Sequence, residues 1–218
     1  MALALFDLDD TLINGNCETE WFHFLSDCGH IDPGSHLPVF AEFDRQYLSG
    51  TLDIVEYMRF VLAPLANHPS DVINGWHEQF MSERILSNIP SKSRELLQSH
   101  RDAGDFLVLI TASNSFNAGP IADELCVDHL IATEPEIIDG HYTGNPVLPA
   151  CLGEGKVLLL ERCLEHSDHT LKGSYFYSDS RNDIPLMERA GFPVAVDPDP
   201  HLLDVAQARN WRRISLRD

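Results

Sequence analysis

Positive charge is scarce in this chain. Its 218 residues carry 34 Asp and Glu against 15 Lys and Arg, a formal net charge of −19. A broad nucleic-acid surface needs clustered cations, so that class of partner is excluded. An anionic substrate would need a local device: a metal, one lysine, or helix N-termini. No apolar run reaches the ~18 residues of a membrane span. The five cysteines, Cys17, Cys28, Cys126, Cys151 and Cys163, include no Cys-x-x-Cys pair. That excludes structural-zinc spacing and fits reduced thiols. The eleven histidines form no His-Glu-x-x-His motif. His166 and His169 stand three apart among polar residues and read as a solvated helix end. No basic, cleavable leader opens the sequence, so the expected location is cytoplasmic. Repeats and low-complexity tracts are lacking too. With 44% hydrophobic residues the chain can bury a sizeable core, as one large domain or two small ones.

What is present begins at residue 2. Ala2-Leu3-Ala4-Leu5-Phe6 is apolar without alternation, the pattern of a strand buried on both faces of a parallel sheet. Asp7, Asp9 and Asp10 follow it. Crowded carboxylates repel and need a cation or shared protons. The carboxyl end of a parallel strand is also where open α/β sheets bind ligands. Two readings fit this stretch alone: a magnesium-assisted site with a carboxylate nucleophile, or an acidic turn after an edge strand.

Asn14-Gly15-Asn16 is a turn signal. From Cys17 to Pro90 the periodicity is helical. Trp21, Phe22, Phe24 and Leu25 make one apolar face. Ile54, Val55, Met58, Val61 and Leu62 make another, opened by Asp53 and Glu56 as a capping box. Ile73, Trp76 and Phe80 make a third. No strand pattern interrupts them. The block predicts an inserted helical cap over residues 15–88, leaving 1–14 and 89–218 as a discontinuous core. In that core, strands are expected at 106–110, 128–132, 174–178, 193–196 and 213–216, alternating with helices, and Asp139-Gly140 marks a hairpin turn. The pattern predicts an α/β fold: a Rossmann-like parallel sheet with helices on both faces and an inserted all-helical cap. Parallel strands end at one edge, so the clusters after residues 6, 110 and 178 can converge there.

Those clusters are Asp7-x-Asp9-x-Thr11, then Thr111, then Lys156 within Gly153-Glu154-Gly155-Lys156-Val157, then Asp179-Ser180-Arg181-Asn182-Asp183. In this order they resemble the haloacid dehalogenase superfamily of phosphatases, in its phosphoserine phosphatase-like branch, over almost the whole chain. The resemblance implies a magnesium-dependent phosphatase that cleaves a small phosphomonoester through an aspartyl-phosphate. It makes Asp7 the nucleophile and Asp9 the general acid, with the Asp9 carbonyl on the metal. Thr111 and the backbone N–H of Ala112 would hold the phosphoryl group, and Lys156 would pair with it and Asp7. Asp179 would ligate Mg2+, Asp183 would hold a metal-bound water, and Asn182 would touch the phosphate.

Elementary chemistry agrees with these roles. An attacking carboxylate splits one hard hydrolysis into two easier steps. Lys156 lies in the first turn of its predicted helix, where a cation opposes the macrodipole and calls for an acidic partner. Bland alternatives exist for single residues: Thr111 and Asp179 as helix N-caps, Asp183 as a first-turn acid. Asp10 reads as solvated, Thr11 and Leu12 as structural, and Arg45 and Arg59 as helix-surface residues. Asn16, Glu18 and Trp21 are expected to face the entrance and select substrate. The family's local phosphoserine motif is not reproduced, since Asn16 stands at the equivalent offset and Glu18 two residues later. The substrate therefore stays open among amino-acid-related esters such as phosphoserine or histidinol phosphate. Rival readings are a phosphotransferase or mutase on the same fold, a non-catalytic binding module, and a phospho-aspartate receiver. A receiver would carry its acid at the end of a middle strand, where this chain has Thr111.

Overall fold

A computed structural model describes residues 2–165 and 167–217; His166 lies outside the described residues. The chain opens with β1 (Leu3–Phe6) and then leaves the sheet for α1 (Cys17–Asp27), α2 (Pro33–Ser49), α3 (Ile54–Asn67) and α4 (Ser70–Phe80). A π turn at Met81–Ile85 and a 3-10 turn at Leu86–Asn88 lead into α5 (Ser91–Asp102). Next come β2 (Phe106–Asn114), α6 (Ser115–Glu124), β3 (His129–Thr133) and the hairpin β4 (Pro135–Ile138) and β5 (His141–Pro146). The chain finishes with α7 (Glu154–Leu164), β6 (Tyr175–Ser178), α8 (Ile184–Met187), β7 (Phe192–Val196), α9 (Pro200–Ala208) and β8 (Arg212–Ile214).

Six strands form one parallel sheet in the order β3-β2-β1-β6-β7-β8. This is the expected Rossmann-like arrangement. The direction of winding reverses between β1 and β6, which opens a crevice at their carboxyl ends. β1 is buried throughout. Its Leu3 and Leu5 enter the core on one face, with Val108, Val157, Leu160 and Phe176. Ala4 and Phe6 enter the other, with Leu107, Leu109 and Tyr177. That second core continues without a break into the helical block through Trp21, Phe22, Met58, Leu62 and Phe80. No strand occurs between β1 and β2 among the described residues.

Local chemistry explains most boundaries. Asn16 caps α1 by accepting from the Glu18 and Thr19 amides. Asp53 caps α3 through the Val55 and Glu56 amides, as the capping-box reading requires of its first member. Asp139 and Gly140, at φ 51° and 80°, make the tight hairpin turn. The β4–β5 hairpin packs against α3, and a Cβ on Gly144 would sit 3.3 Å from that of Ala66.

α2 falls inside the expected helical block but offers no apolar face of its own, since it buries only Phe40 and carries Pro38 inside. One expectation changes. β2 runs to Asn114 rather than stopping at Ile110, with an irregular pairing to β3 between Ile110 and Asn114. Thr111 and Ala112 are therefore strand residues, and the cap of α6 is Asn114, which accepts from the Asn117 amide. All five cysteines are free. Among the described residues no helix is long and apolar enough to cross a membrane.

Candidate active site

The ends of β1, β2 and β6 and the start of α7 meet at the reversal point. A Cβ on Gly155 would lie 2.0 Å from the Ala150 carbonyl oxygen, so glycine is required for α7 to start where it does. That start delivers Lys156 into the core, 2% exposed. Its ammonium donates to Asp7 Oδ1 at 2.7 Å and to Asp183 Oδ2 at 2.8 Å. Burial opposes the charge on Lys156, but Asp183 and Asp7 outweigh it and hold its pKa well above the usual lysine value. The unfavourable helix position noted in the sequence is thereby compensated.

Asp7 is 5% exposed. Burial raises its pKa to about 7 against the pull of Lys156, with Asp183 and Asp9 adding to the rise. Burial also raises Asp179, helped by Asp7, Asp10 and Asp183. Asp9 is raised by burial and stabilised as an anion by two donors: Cys17 N and Ser113 Oγ, each at 2.6 Å. Thr11 links two of the clusters. Its hydroxyl donates to Asp179 Oδ1 at 3.2 Å and accepts from the Asp179 amide at 3.0 Å. Ser178 Oγ donates to Asp183 Oδ2 at 2.7 Å. Thr111, 1% exposed, accepts from the Ser113 amide at 3.1 Å.

The donor set fits a hard cation. Lys156 pairs with Asp7 and Asp183, and the charges of Asp9 and Asp179 interact with that of Asp7. Asp183 Oδ1 is buried without a partner. All candidate ligands are oxygens, as magnesium prefers. Among the described residues no three His, Cys, Asp or Glu side chains already form a closed cage.

A narrow pocket of about 60 Å³ adjoins this cluster. Asp7, Asp9, Thr111, Ala112 and Ser113 line its floor, and Asn16, Glu18, Tyr47 and Tyr57 its walls. Glu18 is 1% exposed. Its Oε1 accepts from Asn114 N at 2.8 Å and Asn114 Nδ2 at 2.6 Å, and the Tyr57 hydroxyl donates to it as well. Burial raises its pKa to about 7. Glu18 thus borders the pocket but joins α3 to the end of β2. Asn16 borders the pocket while its side chain caps α1. Trp21 does not face the entrance. It is 1% exposed and packed against Phe24, Phe80, His77 and Phe116, because the aromatic face of α1 turns inward. Asn182 does not line the pocket; its Nδ2 is buried without a partner. Asp10 is not simply solvated. At φ 54° it accepts from the Gly15 amide and from Arg217 Nη2 at 2.9 Å.

Sequence reasoning passed over Ser113, Ser178 and the bridging role of Thr11. The only signal was a hydroxyl residue beside each acidic turn. It also missed Tyr47, which lines the pocket and whose hydroxyl reaches Ser180 Oγ at 2.8 Å.

This geometry has relatives. The sequence model for haloacid dehalogenase-like hydrolases matches residues 4–188. The chain belongs to the haloacid dehalogenase-like hydrolase family. It is an enzyme of that hydrolase class, and several of its curated relatives carry phosphatase names. It is 38% identical over 213 residues to a histidinol-phosphatase of Neisseria meningitidis, covering 96% of each chain. It is 30% identical to phosphoserine phosphatase SerB1 of Mycobacterium tuberculosis, over 96% of this chain and 69% of that one. Among solved structures, a Bordetella pertussis protein of unknown function superposes with a TM-score of 0.93 at 39% identity, covering 99% of each chain. A substrate-bound phosphoserine phosphatase shares the fold at a TM-score of 0.71 and 20% identity, over 93% of this chain and 89% of that one.

Proposed function

We propose that this hydrolase is a cytoplasmic phosphatase that cleaves a small phosphomonoester through an aspartyl-phosphate on Asp7, with Mg2+ as cofactor. One observation carries the reading: buried Lys156 holds Asp7 and Asp183 together beside Asp179. Such a costly concentration of buried charge is retained where it performs chemistry.

Lys156 fixes Asp7 by one oxygen, leaving Oδ2 for attack on phosphorus. Positioning in this way removes much of the entropy of a bimolecular step. The Thr111 hydroxyl and the Ala112 N–H donate to the phosphoryl oxygens as charge builds. Asp9 borders the same pocket, held by Ser113 and Cys17. It gives a proton to the leaving alkoxide, then takes one from the water that cleaves the aspartyl-phosphate. Asp7, Asp179 and the Asp9 carbonyl would hold the cation, with Asp183 behind a bound water. When bound there, magnesium supplies charge that offsets the carboxylates and polarises the phosphoryl oxygens.

The substrate is an amino-acid-related ester such as phosphoserine or histidinol phosphate, in keeping with the names of the two relatives. Phosphate release from a panel of phosphorylated metabolites, with Asp7→Asn as the control, tests the reading. Release that survives Asp7→Asn would overturn it.

A further inference from the structure

Beyond the catalytic acids, the pocket is walled by the helical block. α2 contributes Phe43, Asp44 and Tyr47, and the following segment contributes Leu52, Ile54 and Tyr57. Among the described residues no lysine, arginine or histidine lines it. His23 lies near enough to Asp44 for its charge to act on that carboxylate; the other nearby basic groups are engaged elsewhere. Arg45 pairs with Glu42 on the exposed face of α2. Arg59 donates to Asn145 Oδ1 at 3.2 Å. Arg181 lies against Gly50 and donates to the Leu48 carbonyl, at a helix end whose carbonyls need donors. Lys156 is held by Asp7 and Asp183.

The two acids of the wall differ in what they can still do. Glu18 is committed to Asn114 and Tyr57. Asp44 stands at the exposed rim, where His23 acts on its carboxylate through charge and no hydrogen bond engages it among the described residues. A substrate carboxylate entering here would meet no donor side chain with positive charge, and two acids. A substrate ammonium would meet a carboxylate flanked by aromatic rings, surroundings that favour cations.

We infer that this pocket selects the phosphate monoester of an amino alcohol that lacks a carboxylate, with Asp44 receiving the ammonium and Phe43, Tyr47 and Tyr57 enclosing the remainder of the molecule. The inference rests on the phosphatase reading above. Selection works largely by exclusion, since a carboxylate would be desolvated without a partner beside like charge.

O-phosphoethanolamine and O-phosphoserine differ only in the carboxylate, so their kcat/KM values test the exclusion directly. Histidinol phosphate, which has an amine, a ring and no carboxylate, completes the series, with p-nitrophenyl phosphate as the reference. The expected preference for phosphoethanolamine over phosphoserine is about tenfold or more, the scale of one unpaired buried charge. Asp44→Asn should lower the ratio of amine-substrate to p-nitrophenyl phosphate kcat/KM about fivefold, the upper range for a half-exposed ion pair. Asp44→Arg should shift selectivity toward phosphoserine. Equal or better turnover of phosphoserine by the native enzyme, or an unchanged ratio in Asp44→Asn, overturns the inference while the phosphatase reading stands. Failure to release phosphate from p-nitrophenyl phosphate, or release that survives Asp7→Asn, overturns the parent reading and the inference with it.

Discussion

The Lys156 ammonium donates to Asp7 Oδ1 at 2.7 Å, joining the first turn of α7 to the end of β1. Removing it would leave Asp7 and Asp183 facing each other in the core. Lys156→Ala is expected to lose ~3 kcal/mol of stability, the scale for breaking a buried pair, together with at least ~10²-fold in phosphate release. Denaturant unfolding and a turnover assay check the two effects separately. A native-like midpoint would mean that the acids are neutralised in another way.

Chelation should stop turnover, and magnesium should restore it. The same cation should raise the melting temperature in a concentration-dependent way, since a ligand bound only by the folded state stabilises it. Asp179→Asn should weaken that thermal shift. A melting temperature indifferent to magnesium in the native protein would contradict the assignment of the oxygen cluster as a metal site.

Asp9→Asn separates the two chemical steps. General acid–base catalysis is worth roughly 10²–10⁴-fold, and an alkyl phosphate should lose about that much. p-Nitrophenolate leaves without a proton, so the first step should suffer less. Rapid mixing should then show a burst of p-nitrophenol followed by slow turnover, with phosphate held on Asp7. Equal losses on both substrates and no trapped acyl-phosphate would refute the division of labour given to Asp9.

Trp21 supports the helical block from within. Trp21→Ala should cost ~3–5 kcal/mol, as for other buried aromatic truncations, and the loss should appear as a lowered melting temperature. A selective rise in KM with native stability would instead return Trp21 to the entrance.

His77 makes stability depend on acid. Burial lowers its pKa from 6.5 to about 4, and it is 4% exposed beside Trp21, Phe80 and Phe116. The unfolded chain binds this proton below pH 6.5 and the folded chain does not, so the stabilisation is full above pH 6.5 and falls as pH drops toward 4. At ~1.4 kcal/mol per pH unit the loss across that window is ~3 kcal/mol. His77→Phe should flatten it. Denaturant midpoints measured from pH 7 to 4 for both proteins check this; parallel curves would assign the acid sensitivity to other groups.

The sequence by itself determined the sheet and the chemistry at its edge. The unbroken apolar runs of β1, β2 and β6 can be accommodated only by a sheet covered on both faces. The polar clusters that end them must share one edge because parallel strands share a direction. Asp7, Thr111, Asp179 and Asp183 were therefore legible as a group from the strands alone, and the family resemblance added Lys156. Local codes also sufficed for the Asp53 cap and the Asp139-Gly140 turn.

Tertiary structure decided which partners those residues find. Trp21 turned inward because the aromatic rings of α1, α4 and α6 close on one another, and spacing within one helix cannot say which neighbour it will meet. Asp10 acquired Arg217 from the far end of the chain. Thr11 became a bridge to Asp179 only when β1 and β6 were set side by side. Within the expected helical block, α2 could not be singled out because its wall of the pocket is half-exposed and its apolar stripe correspondingly weak. Periodicity reports burial against a core, and a helix whose inner face borders a pocket leaves little of that signal. The substrate wall, with Asp44 at the rim beside His23 and with Arg45, Arg59, Arg181 and Lys156 committed elsewhere, is a property of packing that no single segment encodes.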